Sequence, residues 1–186
     1  MEDKKITELF HNRAENAIDE LMKKYGRLFK TLAMNILSNE EDAEECVNDA
    51  CFEVWNAIPP ANPDYLLSFS CKIVRRIAIN RFRHNARQKR NSDKTLPLEE
   101  FGEIFSNGDD MSKYVDSSHL HNVINNFLKN LDNESKAMFV RRYFFFESIS
   151  YIAEVLGISE NKISVRLYRI RKKLAEKLRE EGVYEQ

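Results

Sequence analysis

The sequence predicts an all-α protein: two small helical domains joined by a flexible acidic linker, the second domain built around a helix-turn-helix. Three observations carry this. Apolar residues recur at helical spacing through most of the 186 positions, only 5 Gly and 4 Pro interrupt them, and charge is segregated along the chain. The formal net charge is −1, yet residues 1–58 hold 7 Lys or Arg against 13 Asp or Glu, and residues 70–94 hold 9 against 1. Residues 95–118 return to 1 against 6, and residues 159–186 hold 8 against 5. Such segregation implies different partners for different segments. It divides the chain into an N-terminal domain over 1–91, a linker over 92–118 and a C-terminal domain over 119–186.

The first helix is expected from about Lys5 to Tyr25 or beyond, with Ile6, Leu9, Phe10, Ala14, Ala17, Ile18 and Leu21 inward. Leu28, Phe29, Leu32, Ala33, Ile36 and Leu37 form a further apolar segment. Ser38, with Glu41 three residues on, reads as a capping box that opens the next helix. On that helix Ala43, Cys46, Val47, Ala50, Cys51, Val54 and Trp55 fall on one stripe. The other face shows Asp42, Glu45, Asp49 and Glu53 around an exposed Phe52. Taken alone, that face is either a docking surface for a basic protein or a solvated acidic face.

Pro59, Pro60 and Pro63 then force a turn. Asp64 is a fitting N-cap for a helix through Tyr65, Leu66, Phe69, Ile73, Val74, Ile77 and Ala78. It becomes basic as it proceeds, with Lys72, Arg75, Arg76, Arg81, Arg83, Arg87, Lys89 and Arg90, and with Asn80, Phe82, His84, Asn85 and Gln88 between them. Cations mixed with amides and an aromatic suit nucleic acid better than a merely solubilising surface. The linker has few core-forming residues, and a transient helix is expected over Leu98 to Phe105.

In the C-terminal domain Leu120, Val123, Ile124, Phe127, Leu128 and Leu131 mark one helix. A second is capped by Asp132 or Asn133 and contains Ala137, Met138, Val140, Tyr143 and Phe144. From Ser148 onward Ile149, Ile152, Ala153 and Leu156 keep helical spacing, Gly157 breaks it, and Ile163, Leu167, Ile170 and Leu174 resume it. Gly157 suits the positive φ of a tight turn, and Ser159 is placed to cap the following helix. That helix turns Lys162, Arg166, Arg169 and Lys173 outward, with Asn161, Ser164 and Tyr168 beside them. From Asn161 to Lys173 it has six cations and no carboxylate, a face able to meet phosphates and base edges together.

Other functions find less support. Met1–Lys5 is not a secretory leader, and the densest apolar cluster, Ala137 to Phe146, is too short and too charged to span a membrane. A cytoplasmic protein is expected. Cys46, Cys51 and Cys71 form no CxxC pair and read as packing residues. His119 and His121 lack a third ligand at suitable spacing, so no metal or other cofactor is expected. A nucleic-acid enzyme would need a nucleophile beside an arginine cluster or a metal-binding carboxylate set, and the sequence offers neither.

Together the two halves resemble a bacterial RNA polymerase sigma factor of the extracytoplasmic-function group in the sigma-70 family. Asp42-Ala43-Glu44-Glu45-Cys46-Val47-Asn48-Asp49 resembles the acidic helix by which such factors grip core polymerase, with Trp55 where the family often has Trp. Leu131-Asp132-Asn133-Glu134-Ser135 resembles the entry to the family's C-terminal domain, and Ile158 to Leu174 is similar to its recognition helix. The resemblance implies a non-catalytic subunit that directs core RNA polymerase to promoter DNA, with an anti-sigma factor as a further expected partner. It assigns core-polymerase binding to Asp42, Glu45, Asn48, Asp49, Phe52 and Glu53. Recognition of the −10 element falls to Tyr65, Phe69, Arg75, Arg76, Asn80 and Arg83, and of the −35 element to Asn161, Lys162, Ser164, Val165, Arg166 and Arg169. Arg76, Asn80, Phe69, Asn161 and Lys162 depart from the usual residues, which bears on promoter sequence. The alternative is a free-standing helix-turn-helix regulator, which would bind duplex DNA without polymerase and would not require the acidic face.

Overall fold

The computed structural model describes residues 1–88, 96–101 and 117–183, and all regular structure among them is helical. The chain forms two compact units, Met1–Asp93 and Lys94–Gln186, each with its own core.

Four helices make the first unit: α1 (Asp3–His11), α2 (Ala17–Leu37), α3 (Glu40–Ala57) and α4 (Leu66–Gln88). Helices α2, α3 and α4 pack on one another, and α1 lies against α2 and α4. Phe10, Leu21, Phe29, Leu32, Cys46, Val54, Ile58, Leu66 and Val74 are buried among them. The expected first helix, Lys5 to Tyr25, is in fact two. The chain breaks after His11, Arg13 takes φ +53°, and α2 then runs unbroken to Leu37. Apolar residues on both sides of the break stay in phase, so periodicity could not reveal it. Trp55 sits at the break: Phe10 meets its ring edge-on at 6.1 Å, and the Arg13 guanidinium lies 5.0 Å from its ring centre while donating to its carbonyl.

Two expected caps move. Ser38 is at φ +53° and closes α2, its N–H donating to the Met34 carbonyl. Asn39 is the N-cap of α3 instead, its side chain accepting from the Asp42 N–H at 2.8 Å. Asp64 lies one residue too early to cap α4, whose first-turn carbonyl is that of Tyr65. Asp3, at the start of α1, supplies a carboxylate to the Leu67 N–H and also receives Lys24 at 2.7 Å and Tyr25 at 2.6 Å. Burial alone would raise the Asp3 pKa, but these donors outweigh it and hold the carboxyl below its ordinary value.

In the second unit a 3-10 turn (Pro97–Phe101) precedes α5 (Ser117–Lys129), α6 (Asn133–Phe139), a π-helical turn (Val140–Phe144), α7 (Ile149–Leu156) and α8 (Glu160–Glu180). Val123, Met138, Tyr143, Ile152, Ile163, Leu167, Ile170 and Leu174 form the core. Asp132 caps α6 through the Ser135 N–H, and Ser148 caps α7 through the Tyr151 N–H. Gly157 has φ +66°, as its position between α7 and α8 requires. Ser159 occupies the N-cap position of α8 without a side-chain hydrogen bond.

The helix expected from Asn133 through Phe144 widens after Phe139 into the π turn, where the Phe145 N–H reaches back to the Val140 carbonyl at 3.1 Å. Of the expected linker, Leu96–Phe101 is described, and it packs on this unit. Leu96 is buried, and the Phe101 ring meets Tyr143 at 4.9 Å and Phe139 at 6.4 Å. The remainder of the transient helix expected over Leu98 to Phe105 lies outside the described residues, as do Lys89, Arg90 and the side chains of Arg87, Gln88 and His121.

Candidate nucleic-acid and protein interfaces

Helix α3 buries the apolar stripe read from its sequence: Ala43, Cys46, Val47, Ala50, Cys51 and Val54 are buried, while Trp55 is half-buried. The opposite face carries Asp42, Glu45, Asn48, Asp49, Phe52 and Glu53. Phe52 is 65% exposed, well beyond what a half-buried packing residue would show. The carboxylates divide into two groups. Arg81 of α4 donates to Glu45 at 2.7 Å, holding its carboxyl below the usual range, and Asn85 donates to Asp42 at 3.0 Å. Arg76 pairs with Glu53. Asn48, Asp49 and Phe52 are exposed.

Helix α4 presents a second surface. At 3.6 residues per turn, Tyr65, Phe69, Arg76, Asn80 and Arg83 fall within one narrow stripe. Tyr65 is 76% exposed, Arg76, Asn80 and Arg83 are exposed, and Phe69 is half-buried. Lys72, part of the basic run but outside the residues assigned to the −10 element, stands on the same stripe and is exposed. Its spacing of seven from Tyr65 and four from Arg76 was the available signal. Arg75 lies about a quarter-turn aside and half-buried, and burial lowers its pKa from the ordinary value.

The third surface belongs to α8. Ile163, Leu167, Ile170 and Leu174 are all at most 4% exposed, which fixes the outward direction of Asn161, Lys162, Val165 and Arg169. These four are exposed and share a groove with Glu134, Met138, Ile158 and Arg166. Ser164 sits at the edge of this face, half-buried, with its hydroxyl donating to the Glu160 carbonyl at 2.9 Å. Val165, at 42% exposure, is an apolar contact among cations. Arg166 pairs with Glu134 at the start of α6. One of the six cations turns inward: Arg171 is 7% exposed and donates to Glu100 and to the Tyr143 hydroxyl, each at 2.6 Å. His119 stands 3.1 Å from the Glu181 carbonyl at the end of α8.

Residues 21–88, which include α3 and α4, match the family described as Sigma-70 region 2. Residues 121–174, which include the helix-turn-helix, match Sigma-70, region 4. The chain belongs to the sigma-70 family. It is a sigma factor of the extracytoplasmic-function group, which binds core RNA polymerase and directs promoter-specific initiation of transcription. A curated relative is RNA polymerase sigma factor SigV of Bacillus subtilis (strain 168), 27% identical over 156 residues, which are 83% of this chain and 87% of SigV. Solved structures similar to it include CnrH in complex with the cytosolic domain of CnrY, at 21% identity and TM-score 0.40, covering 96% of this chain and 97% of that one. Another is sigma factor RpoE in complex with the anti-sigma factor NepR from Bartonella quintana, at 16% identity and TM-score 0.39, covering 88% and 98%. Among the described residues of this sigma factor, no helix is long and apolar enough to cross a membrane.

Proposed function

We propose that the three surfaces divide the work of this sigma factor, with α3 gripping core polymerase, α4 capturing the −10 element and α8 reading the −35 element. The observation that carries the reading is the α4 stripe. There two aromatics, three cations and an amide share one side of a single helix. Cations hold phosphates while aromatics and amides receive unstacked bases, which is the chemistry of melting a duplex and keeping one strand. Tyr65 and Phe69 are the stacking platforms, Asn80 the amide, and Lys72, Arg76 and Arg83 the phosphate ligands. Arg75 contributes from the flank.

On α8 the Asn161 amide suits adenine, Arg166 and Arg169 suit guanine or phosphate, Lys162 suits phosphate, and Val165 suits a thymine methyl. Ser164 remains available as a hydroxyl acceptor. On α3 the exposed Phe52 is the anchor, with Asn48 and Asp49 beside it and Asp42, Glu45 and Glu53 around it, an acidic rim for a basic surface on the polymerase. The factor performs no covalent chemistry; polymerase supplies it. It acts in the cytoplasm, and family membership adds an anti-sigma factor as a partner competing for these surfaces.

The test is run-off transcription with purified core polymerase, this protein and genomic promoter DNA. Transcripts that need both proteins are expected, and their start sites give the promoter elements. Replacing Asp49 and Phe52 together by alanine should weaken core binding about ten-fold or more, as loss of an aromatic anchor does, with an unchanged circular dichroism spectrum. Duplex binding without any association with core would overturn the assignment in favour of a free-standing regulator.

A further inference from the structure

The groove along α8 contains one group that phosphate binding does not explain. Among Asn161, Lys162, Val165, Arg166 and Arg169 stands the carboxylate of Glu134, which belongs to α6 and lies 32 positions earlier in the chain. A carboxylate facing DNA repels the backbone, so for affinity alone the position would be better filled by almost any neutral residue. It accepts from Arg166 Nη1, with both side chains still open to solvent, 42% exposed for Arg166 and 47% for Glu134. Asp132, two residues before it, adds a second negative charge near the same guanidinium.

We propose that Glu134 is a positioning residue for promoter reading, setting the direction of Arg166 and suppressing its use on non-cognate DNA. The proposal rests on the reading of α8 as the −35 helix. Guanidinium has five N–H donors in a rigid fork, and the contact with Glu134 occupies one. The Nη2 side of the fork remains able to make a bidentate contact with guanine O6 and N7. Because the fork is planar and tethered to the chain through Nε, holding one corner narrows the directions in which the other donors point. The same carboxylate offsets the charge of Arg166, so the arginine gains little from a phosphate alone and more from a base edge of the right geometry. Affinity for any sequence is reduced, and the difference between sequences is increased.

The experiment uses holoenzyme reconstituted from core polymerase and the full chain, with the promoter recovered by run-off transcription and duplexes altered singly across its −35 element. Four proteins are compared over a salt series: the unaltered chain, Glu134→Gln, Arg166→Ala, and the two together. Glutamine keeps the shape and removes the charge. Glu134→Gln is expected to raise binding to non-cognate duplex about 1.4- to five-fold, the range to which the coupling of an exposed ion pair converts. It is expected to steepen the salt dependence and to lower the ratio of cognate to altered −35 binding by about three-fold. With Arg166→Ala already present, Glu134→Gln should change that ratio no further.

If Arg166→Ala lowers −35 discrimination while Glu134→Gln leaves it unchanged, the role of Glu134 is refuted and the reading of α8 stands. Equal effects of Glu134→Gln with and without Arg166 also refute it, because Glu134 would then act through its own charge. If Arg166→Ala leaves −35 discrimination intact, the assignment of Arg166 falls, and the proposal falls with it.

Discussion

Replacing Glu100 by alanine removes the carboxylate on which three donors of the second unit converge. Arg142 Nε lies 2.9 Å from Oε1, while the Tyr143 hydroxyl at 2.9 Å and Arg171 Nη1 at 2.6 Å reach Oε2. The Arg171 side chain is 8% exposed, Arg142 16% and Glu100 23%. Breaking a buried ion pair by removing one partner costs about 3–5 kcal/mol, whereas an exposed pair contributes about 0.2–1 kcal/mol. Glu100 retains some solvent contact, which moves the expected cost to roughly 2–3 kcal/mol. Arg171 worsens the loss, since its Nε already lacks a hydrogen-bond partner among the described residues. For a unit of this size the cost corresponds to a fall in melting temperature of roughly 10–20 °C.

The chain provides its own control. Its one tryptophan, Trp55, belongs to the first unit, so intrinsic fluorescence follows that unit while circular dichroism follows both. Glu100→Ala should lower one circular dichroism transition and leave the Trp55 transition in place. Adding Arg171→Met should recover part of the loss, because the more deeply buried of the two stranded charges is then removed. An unshifted melt, or a Trp55 transition that moves as far as the other, would refute the claim that Glu100 is a structural ligand of the second unit.

Two other perturbations are informative. Gly157→Ala should destabilise the second unit by about 1 kcal/mol, because its φ of +66° strains any residue with a Cβ although none of the described residues lies within 4 Å of the added atom; thermal unfolding checks this. Burial pushes the thiols of Cys46, Cys51 and Cys71 up to about 11, whereas in an unfolded chain they ionise from about pH 8.5. The folded state therefore holds more protons between those values, and stability of the first unit should be complete below about pH 8.5 and fall as pH rises toward 11, as urea titrations following Trp55 would record.

The helix-turn-helix was legible because its determinants are local. The apolar register of α8 set its buried face, and the αL requirement at Gly157 set its turn. The acidic and exposed character of the α3 face was legible for the same reason, and the family resemblance supplied its partner. Boundaries were less so. Ser38 and Asn39 are both good caps and adjacent, and only the backbone path out of α2 decides that Ser38 adopts the left-handed conformation and Asn39 does the capping. The break at Arg13 was invisible because the residue that packs against it, Trp55, lies 42 positions away.

By itself, then, the sequence determined which side of each helix is apolar, where cations and carboxylates accumulate, and hence a two-domain helical architecture, to which the family resemblance added the sigma-factor reading. These follow from spacing along one helix, which a sequence states directly. Only the tertiary structure decided which charges are spoken for: Arg171 with Glu100, Arg166 with Glu134, Arg76 with Glu53 and Arg81 with Glu45. A long charged side chain carries its charge several ångströms from the backbone and takes its direction from whatever lies opposite, so its partner is set by helix packing. Two arginines five residues apart on one helix thus meet different ends, Arg171 inside the unit and Arg166 beside the groove.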